Sequence, residues 1–279
     1  MGAVRILISA DMEGVTGVTF GGDVAPGSPG WQRFRPVFTG DVNACVEGLY
    51  AGGAAEVIVN EAHSSQRNLL IEELDVRARM LTGRHKPLSM MQGVDSGVDG
   101  VVFLGYHAAA GQEGVLAHTY LENSVTAVHL DGVLASEGRL NAALAAEHGV
   151  PVLMITGDDR CCVDAADYVP DAEHVAVKEC VSRYAAICLP PARAWELIRD
   201  GAEKSMARAG RVAVEAPAPH RIEVSFDASH LAAAAAVIPT VEQIDVLRVG
   251  FDAPNMTEAM KCFKIVCAIA SGAKEPDWG

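Results

Sequence analysis

The sequence contains no long apolar run and no cluster of basic residues. A membrane-spanning helix needs roughly 20 consecutive apolar residues, so no membrane association is expected. Basic residues number 22 against 36 acidic ones, which gives a net charge of −14, and aromatic residues make up only 5% of the chain. This composition argues against nucleic acid as a partner, since both the positive charge and the stacking surface that it needs are scarce.

Several well-known motifs are also missing. The chain has no G-x-S-x-G turn, no Walker A loop, no H-E-x-x-H and no G-x-G-x-x-G after a strand. Its seven cysteines are odd in number and include no C-x-x-C pair, and the first residues do not form a secretory signal pattern. We therefore expect reduced cysteines and a cytoplasmic location.

Short apolar runs alternate with helical patterns over the first two-thirds of the chain. The runs at residues 4–10, 55–60, 100–106 and 151–156 predict strands that are buried on both faces, as in a parallel sheet covered by helices, and a fifth run begins at residue 174. The Asp131-Gly132 pair predicts a hairpin and thus an antiparallel element in this sheet. The glycine-rich residues 14–30 are interpreted as a mobile loop. The expected fold is α/β, a three-layer, mostly parallel sheet with flanking helices.

A domain boundary is predicted at the Pro190-Pro191 pair. Residues 1–190 then form a metal-binding catalytic domain, and residues 191–279 form a smaller α+β unit that completes the pocket or serves oligomerisation. The patterns predict helices at 192–208, 231–237 and 256–269, and strands at 222–226 and 245–249.

Candidate ligands follow the predicted strands. Asp11 and Glu13 come after the first strand, His63 after the second, and His107 after the third, with His118 eleven residues further on. The carboxyl ends of parallel strands meet at one edge of a sheet, where ligands bind. Asp11 and Glu13, two residues apart in extended chain, face the same side and repel each other unless a cation lies between them or one of them is protonated.

Glu137 is a further candidate. It lies one turn before Leu140 on the core-facing side of a predicted helix, where a carboxylate is costly unless it is paired or bound to a metal. The first turn of a helix also favours negative charge by itself, so an ordinary structural role stays open. The same holds for each candidate taken singly, but together they suit a site for two metal ions. Asp158 or Asp159 is expected to cap a helix.

Several longer motifs carry a family resemblance. They are S-A-D-M-E-G at 9–14, V-N-E-A-H-S at 59–64, F-L-G-Y-H-A at 103–108, E-G-R-L-N at 137–141 and P-V-L-M-I-T-G-D-D at 151–159, with Lys178, Ser182 and Arg183 further on. In this order they resemble the zinc-dependent D-aminopeptidases of the DppA type, most closely over residues 4–190.

The resemblance implies an enzyme that hydrolyses N-terminal amino acids, preferentially D-residues, from short peptides. It implies two zinc ions per subunit, held by Asp11, Glu13, His63, His107 and Glu137, with Asp11 bridging the two. His118 would be the catalytic residue outside the ligand set, as nucleophile, general acid or oxyanion donor. The resemblance also implies a ring-shaped homo-oligomer, expected as a homodecamer.

Two alternatives stay open at this stage. The same ligands could serve a two-metal hydrolase of another amide or ester class, although a phosphoesterase would need Arg or Lys near the metals and no basic cluster adjoins these motifs. The second alternative is a binding protein without enzymatic activity that is stabilised by the metal. One departure from the family pattern is Ser136, which stands where related sequences often have glycine and is expected to narrow the pocket.

Overall fold

A computed structural model describes residues 3–210, 212 and 218–275. The strands are, in chain order, β1 (Arg5–Ala10), β2 (Glu56–Glu61), β3 (Ala78–Leu81), β4 (Gly100–Leu104), β5 (Val125–Leu130), β6 (Val133–Leu134), β7 (Val152–Asp158), β8 (Glu173–Ser182), β9 (Ala185–Cys188), β10 (His220–Phe226), β11 (Glu242–Gln243) and β12 (Arg248–Ala253). The α-helices are α1 (Gly21–Val24), α2 (Pro29–Ala51), α3 (Glu137–Glu147), α4 (Asp159–Tyr168), α5 (Pro191–Ser205), α6 (Ser229–Ala235) and α7 (Met256–Gly272).

The larger sheet has seven strands in the order β3-β2-β1-β4-β7-β8-β9. All neighbouring pairs are parallel except β8 and β9, which are antiparallel. The order places β1 and β4 at the centre, next to β2 and β7, so the ends of four of the predicted strands lie side by side. The predicted mostly parallel α/β fold is confirmed.

Both faces of this sheet are covered, which explains the continuous apolar runs. Ile6 and Ile8 of β1 pack into a core formed with α2 and α5, whereas Leu7 packs into the core on the opposite face. That second core contains Leu140 of α3 and Ala165 of α4, together with the inner residues of the second sheet. The sheet therefore lies between two apolar layers, as the strand pattern predicts.

The second sheet is antiparallel, with five strands in the order β11-β12-β10-β5-β6. Its strands β5 and β6 are the predicted hairpin, and Asp131 and Gly132 at the turn both have positive φ. The hairpin was expected in the main sheet, and this was wrong: β5 pairs with β10, far along the chain.

Segments before and after residue 190 both contribute to the second sheet and to the structure around the larger sheet. Strands β5 and β6 precede that residue and belong to the second sheet, while α5 follows it and packs against α2 on the larger sheet. The boundary predicted there stays a prediction. The helices and strands expected after it are present as α5, β10, α6, β12 and α7, with β12 beginning three residues later than predicted.

The glycine-rich residues 14–30 are not all loop. They contain α1, and α2 begins at Pro29, with the Ser28 side chain accepting a hydrogen bond from the Trp31 backbone N–H. Proline at the first position of a helix costs nothing, because the N–H that it lacks would have no partner within the helix. None of the helices in the described part of the chain is long and apolar enough to cross a membrane.

Candidate metal centre

The candidate ligands meet at the carboxyl ends of neighbouring strands, as predicted. Asp11 and Glu13 follow β1, His63 follows β2 and His107 follows β4, while Glu137 is the first residue of α3. All five are buried, with 2–7% of their surface exposed. Buried carboxylates in such numbers are costly unless cations compensate them.

A buried lysine holds in place the segment that carries Glu13. The ammonium group of Lys178, which is 2% exposed, donates to the backbone carbonyls of Glu13 at 2.6 Å, Val15 at 3.0 Å and Val18 at 2.7 Å. Gly14 allows the segment to approach β4, because a Cβ atom there would lie 2.0 Å from the carbonyl oxygen of Tyr106. In the sequence, Lys178 belongs to a family motif, but no local pattern marks it as part of the site.

The three imidazoles share one arrangement. Each has one ring nitrogen within hydrogen-bond distance of a backbone carbonyl: His63 Nε2 at 2.9 Å from Val24, His107 Nδ1 at 3.0 Å from Ala108, and His118 Nδ1 at 2.8 Å from Leu116. A carbonyl only accepts, so that ring nitrogen is the N–H donor. The other nitrogen of each ring faces carboxylates and is the one free to bind a metal.

Asp11 lies between two groups of these side chains. His63 Nδ1 is 3.2 Å from Asp11 Oδ1 and 3.0 Å from Glu13 Oε2. On the other side, His107 Nε2 is 3.5 Å from Asp11 Oδ2 and 3.7 Å from Glu137 Oε1. Each carboxylate oxygen of Asp11 thus belongs to a different cluster, as a ligand that bridges two ions requires.

Two buried atoms in the second cluster lack partners. Asp11 Oδ2 and His107 Nε2 have no hydrogen bond to any described residue. Buried polar atoms nearly always have a hydrogen-bond partner. Two such atoms that face each other without a bond are therefore suited to hold a metal ion between them. Within the described residues, potential ligand atoms lie within 4.8 Å of one another in three sets: Asp11–Glu13–His63, Asp11–His107–Glu137 and Glu13–His107–His118.

His118 lies at the edge of the centre. Its Nε2 is 3.8 Å from Glu13 Oε1 and 3.9 Å from Glu137 Oε1. Burial, and then the neighbouring His107, lower the pKa of His118 to about 4, so the ring is neutral at pH 7. With the proton on Nδ1, its Nε2 offers a lone pair to the cleft. By distance alone, His118 could be a ligand or a reacting group.

The charges within the centre perturb its titrating groups strongly. Burial alone would raise the pKa of Glu13, but the adjacent His63 outweighs it and holds that pKa well below its usual range. Burial would lower the pKa of His107, whereas the facing carboxylates, Glu137 first, raise it to about 10. Burial raises the pKa of Glu137, which accepts a hydrogen bond from the Tyr120 backbone N–H. The carboxylates thus raise the pKa of His63 and His107, whereas His118 stays neutral.

Three neighbouring residues have structural roles. Glu61, within the motif that contains His63, accepts hydrogen bonds from the backbone N–H groups of Asn68 and Leu69. Asp158 caps α4, since its side chain accepts from the Cys161 backbone N–H, as predicted. Ser136 was expected to narrow the pocket, but it is fully buried and caps α3 instead of lining the cleft.

The centre opens into a cleft of about 780 Å³. Its lining includes Glu13, His63, His118 and Glu137, together with the basic residues Arg84, Lys86, Arg183 and Lys264. No basic cluster adjoins the motifs in the sequence, yet the fold brings basic side chains to the cleft. These residues come from separate segments of the chain, so their proximity could not be read from a local run of charge.

Comparison with known proteins agrees with this geometry. A profile of the D-aminopeptidase family matches residues 4–265. The chain belongs to the D-aminopeptidase family. It is 33% identical, over 270 residues, to a D-aminopeptidase of Bacillus subtilis (strain 168), and the match covers 96% of this chain and 98% of the relative. Membership makes the chain a hydrolase of the peptidase class.

A solved structure of the family has the same fold. It is described as the zinc-dependent D-aminopeptidase DppA from Bacillus subtilis, a self-compartmentalizing protease. The match has a TM-score of 0.90 and 31% identity, and covers 96% of this chain and 98% of the other. The resemblance of the sequence to this family is therefore confirmed.

Proposed function

We propose that this D-aminopeptidase-family chain binds two zinc ions per subunit and removes N-terminal amino acids, preferentially D-residues, from short peptides. The observation that carries the proposal is the arrangement around Asp11. One of its carboxylate oxygens lies in the same cluster as Glu13 and His63, and the other lies in the same cluster as His107 and Glu137. This donor set of imidazoles and carboxylates is one that zinc prefers.

The residues present fit a zinc pair. The first ion would be held by Asp11, Glu13 and His63, and the second by Asp11, His107 and Glu137. When bound, such a pair supplies Lewis acidity, which makes hydroxide available at neutral pH and polarises a peptide carbonyl. The hydrogen bonds from His63 to Val24 and from His107 to Ala108 would fix each ring in the tautomer that presents its free nitrogen.

His118 would move a proton at Nε2. Because its Nδ1 proton is donated to the Leu116 carbonyl, Nε2 of the neutral ring accepts a proton and cannot at first donate one. It is therefore suited to take the proton of the attacking water and to pass it to the leaving amine. Stabilisation of an oxyanion by Nε2–H would follow only after that uptake. Direct nucleophilic attack by His118 would not be needed, because hydroxide would serve as the nucleophile at such a site.

The D preference rests on family membership and on the name of the relative. A two-metal hydrolase of another amide or ester class is the competing function. A substrate panel separates the two: D-Ala-Gly, L-Ala-Gly and a phosphate monoester, each with zinc-loaded and chelator-treated enzyme. We expect zinc-dependent release of alanine, at least ten-fold faster (kcat/KM) from the D-peptide, a ratio within what one pocket can supply. Turnover of the phosphoester alone would contradict the proposal.

We further propose that the chain assembles into a ring-shaped homo-oligomer, a decamer, in the cytoplasm. The self-compartmentalizing relative supports assembly. Three large apolar side chains of the β8–β9 hairpin, Val181, Tyr184 and Ile187, are 58–65% exposed, and Tyr184 also lines the cleft. All seven cysteines are free thiols, which suits a reducing compartment. Light scattering that reports a 29.3 kDa monomer would contradict the assembly.

A further inference from the structure

The cleft has a basic wall made by Arg84, Lys86 and Lys264. These residues line the same cavity as Glu13, His118 and Glu137. The ammonium group of Lys264, on α7, donates to the backbone carbonyls of Lys86 at 2.6 Å and Pro87 at 3.0 Å. Helix α7 therefore holds the segment after Arg84 in place, and the three positive groups are near one another although they lie far apart in sequence.

The cations of this wall are not directly paired with a carboxylate of the described residues. Within residues 3–210, 212 and 218–275, none of the three side chains makes a salt bridge with a carboxylate. The ammonium group of Lys86 donates to the side-chain oxygen of Asn60 and the carbonyl of Glu61, both uncharged acceptors. In a chain with a net charge of −14, three neighbouring cations without a bound carboxylate are unexpected.

Mutual repulsion among these cations adds to burial in lowering the pKa of the two lysines. Burial, and then the nearby Arg84, lower the pKa of Lys264. Burial lowers the pKa of Lys86 to about 8, and Lys264 adds to this although the carboxylate of Glu61 opposes it. That carboxylate is engaged with the backbone N–H groups of Asn68 and Leu69. An anion at the wall would relieve the repulsion.

Arg84 is the group of the three that is best placed to contact a ligand. It is exposed, whereas Lys86 is buried and Lys264 is tied to backbone carbonyls. A guanidinium presents a planar pair of donors that matches a carboxylate, and such charge-assisted pairs are stronger than neutral hydrogen bonds. The two lysines add positive potential to the cleft without needing to touch the ligand.

We propose that the basic wall binds the C-terminal carboxylate of a short peptide, with Arg84 as the contacting group. This rests on the proposed peptidase function. A peptide whose N-terminal bond lies at the metal centre extends its other end along the cleft, and a volume of about 780 Å³ suits a peptide of a few residues. The wall would then select dipeptides and tripeptides with a free C-terminus over longer or blocked chains.

The test compares substrates that differ only in the terminal charge. Steady-state kinetics are measured for D-Ala-Gly and for its C-terminal amide, with zinc-loaded wild type, Arg84→Gln and the control Lys261→Gln. Lys261 is on the same helix as Lys264 but is exposed and paired with Glu258. The melting temperature of each variant checks its folding.

For the wild type, we expect a KM about ten-fold lower for the free peptide than for the amide, since one exposed charge-assisted pair is lost in the amide. Arg84→Gln should raise the KM of the free peptide about ten-fold, leave kcat within two-fold and leave the amide unaffected. Lys261→Gln should behave as the wild type does.

Three results would overturn the proposal. Equal kinetics of both substrates in the wild type would remove the carboxylate subsite while the peptidase function stands. Equal effects of Arg84→Gln on both substrates would give Arg84 a different role. A KM for D-Ala-Glu amide that is well below that for D-Ala-Gly amide would show that the wall binds an acidic side chain instead, since this peptide carries only a side-chain carboxylate. Failure of the wild type to cleave any of these peptides would instead refute the proposed function.

Discussion

The imidazole rings of His107 and His118 stack with their centroids 4.2 Å apart and their planes within 8° of parallel. One ring belongs to the candidate ligand set, and the other lies at its edge with Nε2 3.8 Å from Glu13 Oε1. Positive charge on or bound to His107 disfavours a second charge on His118, which agrees with the lowered pKa of His118. Burial and, after it, His107 keep His118 neutral, and the stack holds the ring close to the centre.

His118→Ala should retain both zinc ions and lose turnover. If His118 moves a proton in the reaction, its removal lowers kcat on the order of 10²–10⁴-fold, while KM changes much less. Zinc content, melting temperature and steady-state kinetics are measured on one preparation. Loss of zinc would make His118 a ligand, as its distances to Glu13 and His107 allow. Near-normal kcat with a lower melting temperature would give it a structural role.

Asp11→Ala should remove both zinc ions, because each of its carboxylate oxygens lies in a different cluster. His63→Ala and His107→Ala are the matched variants, since each ring belongs to one side of Asp11, and each should weaken mainly one ion. The measurement is zinc content after dialysis against a weak chelator. An Asp11→Ala protein with its full zinc complement would contradict the bridging assignment.

Lys178→Met should weaken both the fold and the metal centre. Methionine keeps most of the length of the side chain but leaves the carbonyls of Glu13 and Val18 without the ammonium donor, whereas the Val15 carbonyl keeps the Val18 backbone N–H. Unsatisfied buried carbonyls cost about 1–3 kcal/mol each, so we expect a lower melting temperature and a weaker zinc affinity. Lys204→Met, an exposed lysine of α5, is the control. An unchanged zinc affinity would mean that Lys178 does not position Glu13.

Asp41 should make the fold less stable as the pH rises through the acid range. Its side chain is buried and accepts hydrogen bonds from Thr16 and Trp195, yet burial raises its pKa to about 6. The folded state therefore holds the proton more tightly than the unfolded state, whose carboxyl group has its ordinary pKa. Between about pH 4 and pH 6, the free energy of unfolding should fall, by about 3 kcal/mol at most.

Asp41→Asn should remove that fall. Urea unfolding at pH 4, 5 and 6 is compared for the wild type and the variant, both in chelator so that zinc does not contribute. The quantity compared is the slope of the free energy of unfolding against pH, because asparagine also changes the absolute stability. Identical slopes would contradict the assignment of the proton to Asp41.

The sequence predicted the main sheet and the location of the centre because both depend on local patterns. Buried apolar runs identify β1, β4 and β7, and the residues after parallel strands must meet at one edge. The start of α2 was missed because its first residues are glycine and proline, which usually end helices. Ser28 followed by Pro29 is a known start signal and could have identified it.

Other features depend on contacts between distant segments, and no local pattern carries them. The pairing of β5 with β10 joins residues about ninety positions apart. Lys178 looks like an ordinary strand residue until the carbonyls of residues 13–18 are seen around its ammonium group. In the same way, Arg84 and Lys264 form a basic wall only after α7 has packed beside the segment that follows Arg84.

The most direct test of the account is a crystal structure of the zinc-loaded protein with anomalous data collected at the zinc edge. The account predicts two peaks per subunit, one contacted by Asp11, Glu13 and His63 and the other by Asp11, His107 and Glu137, with His118 bound to neither. A single peak, or a peak coordinated by His118, would contradict it.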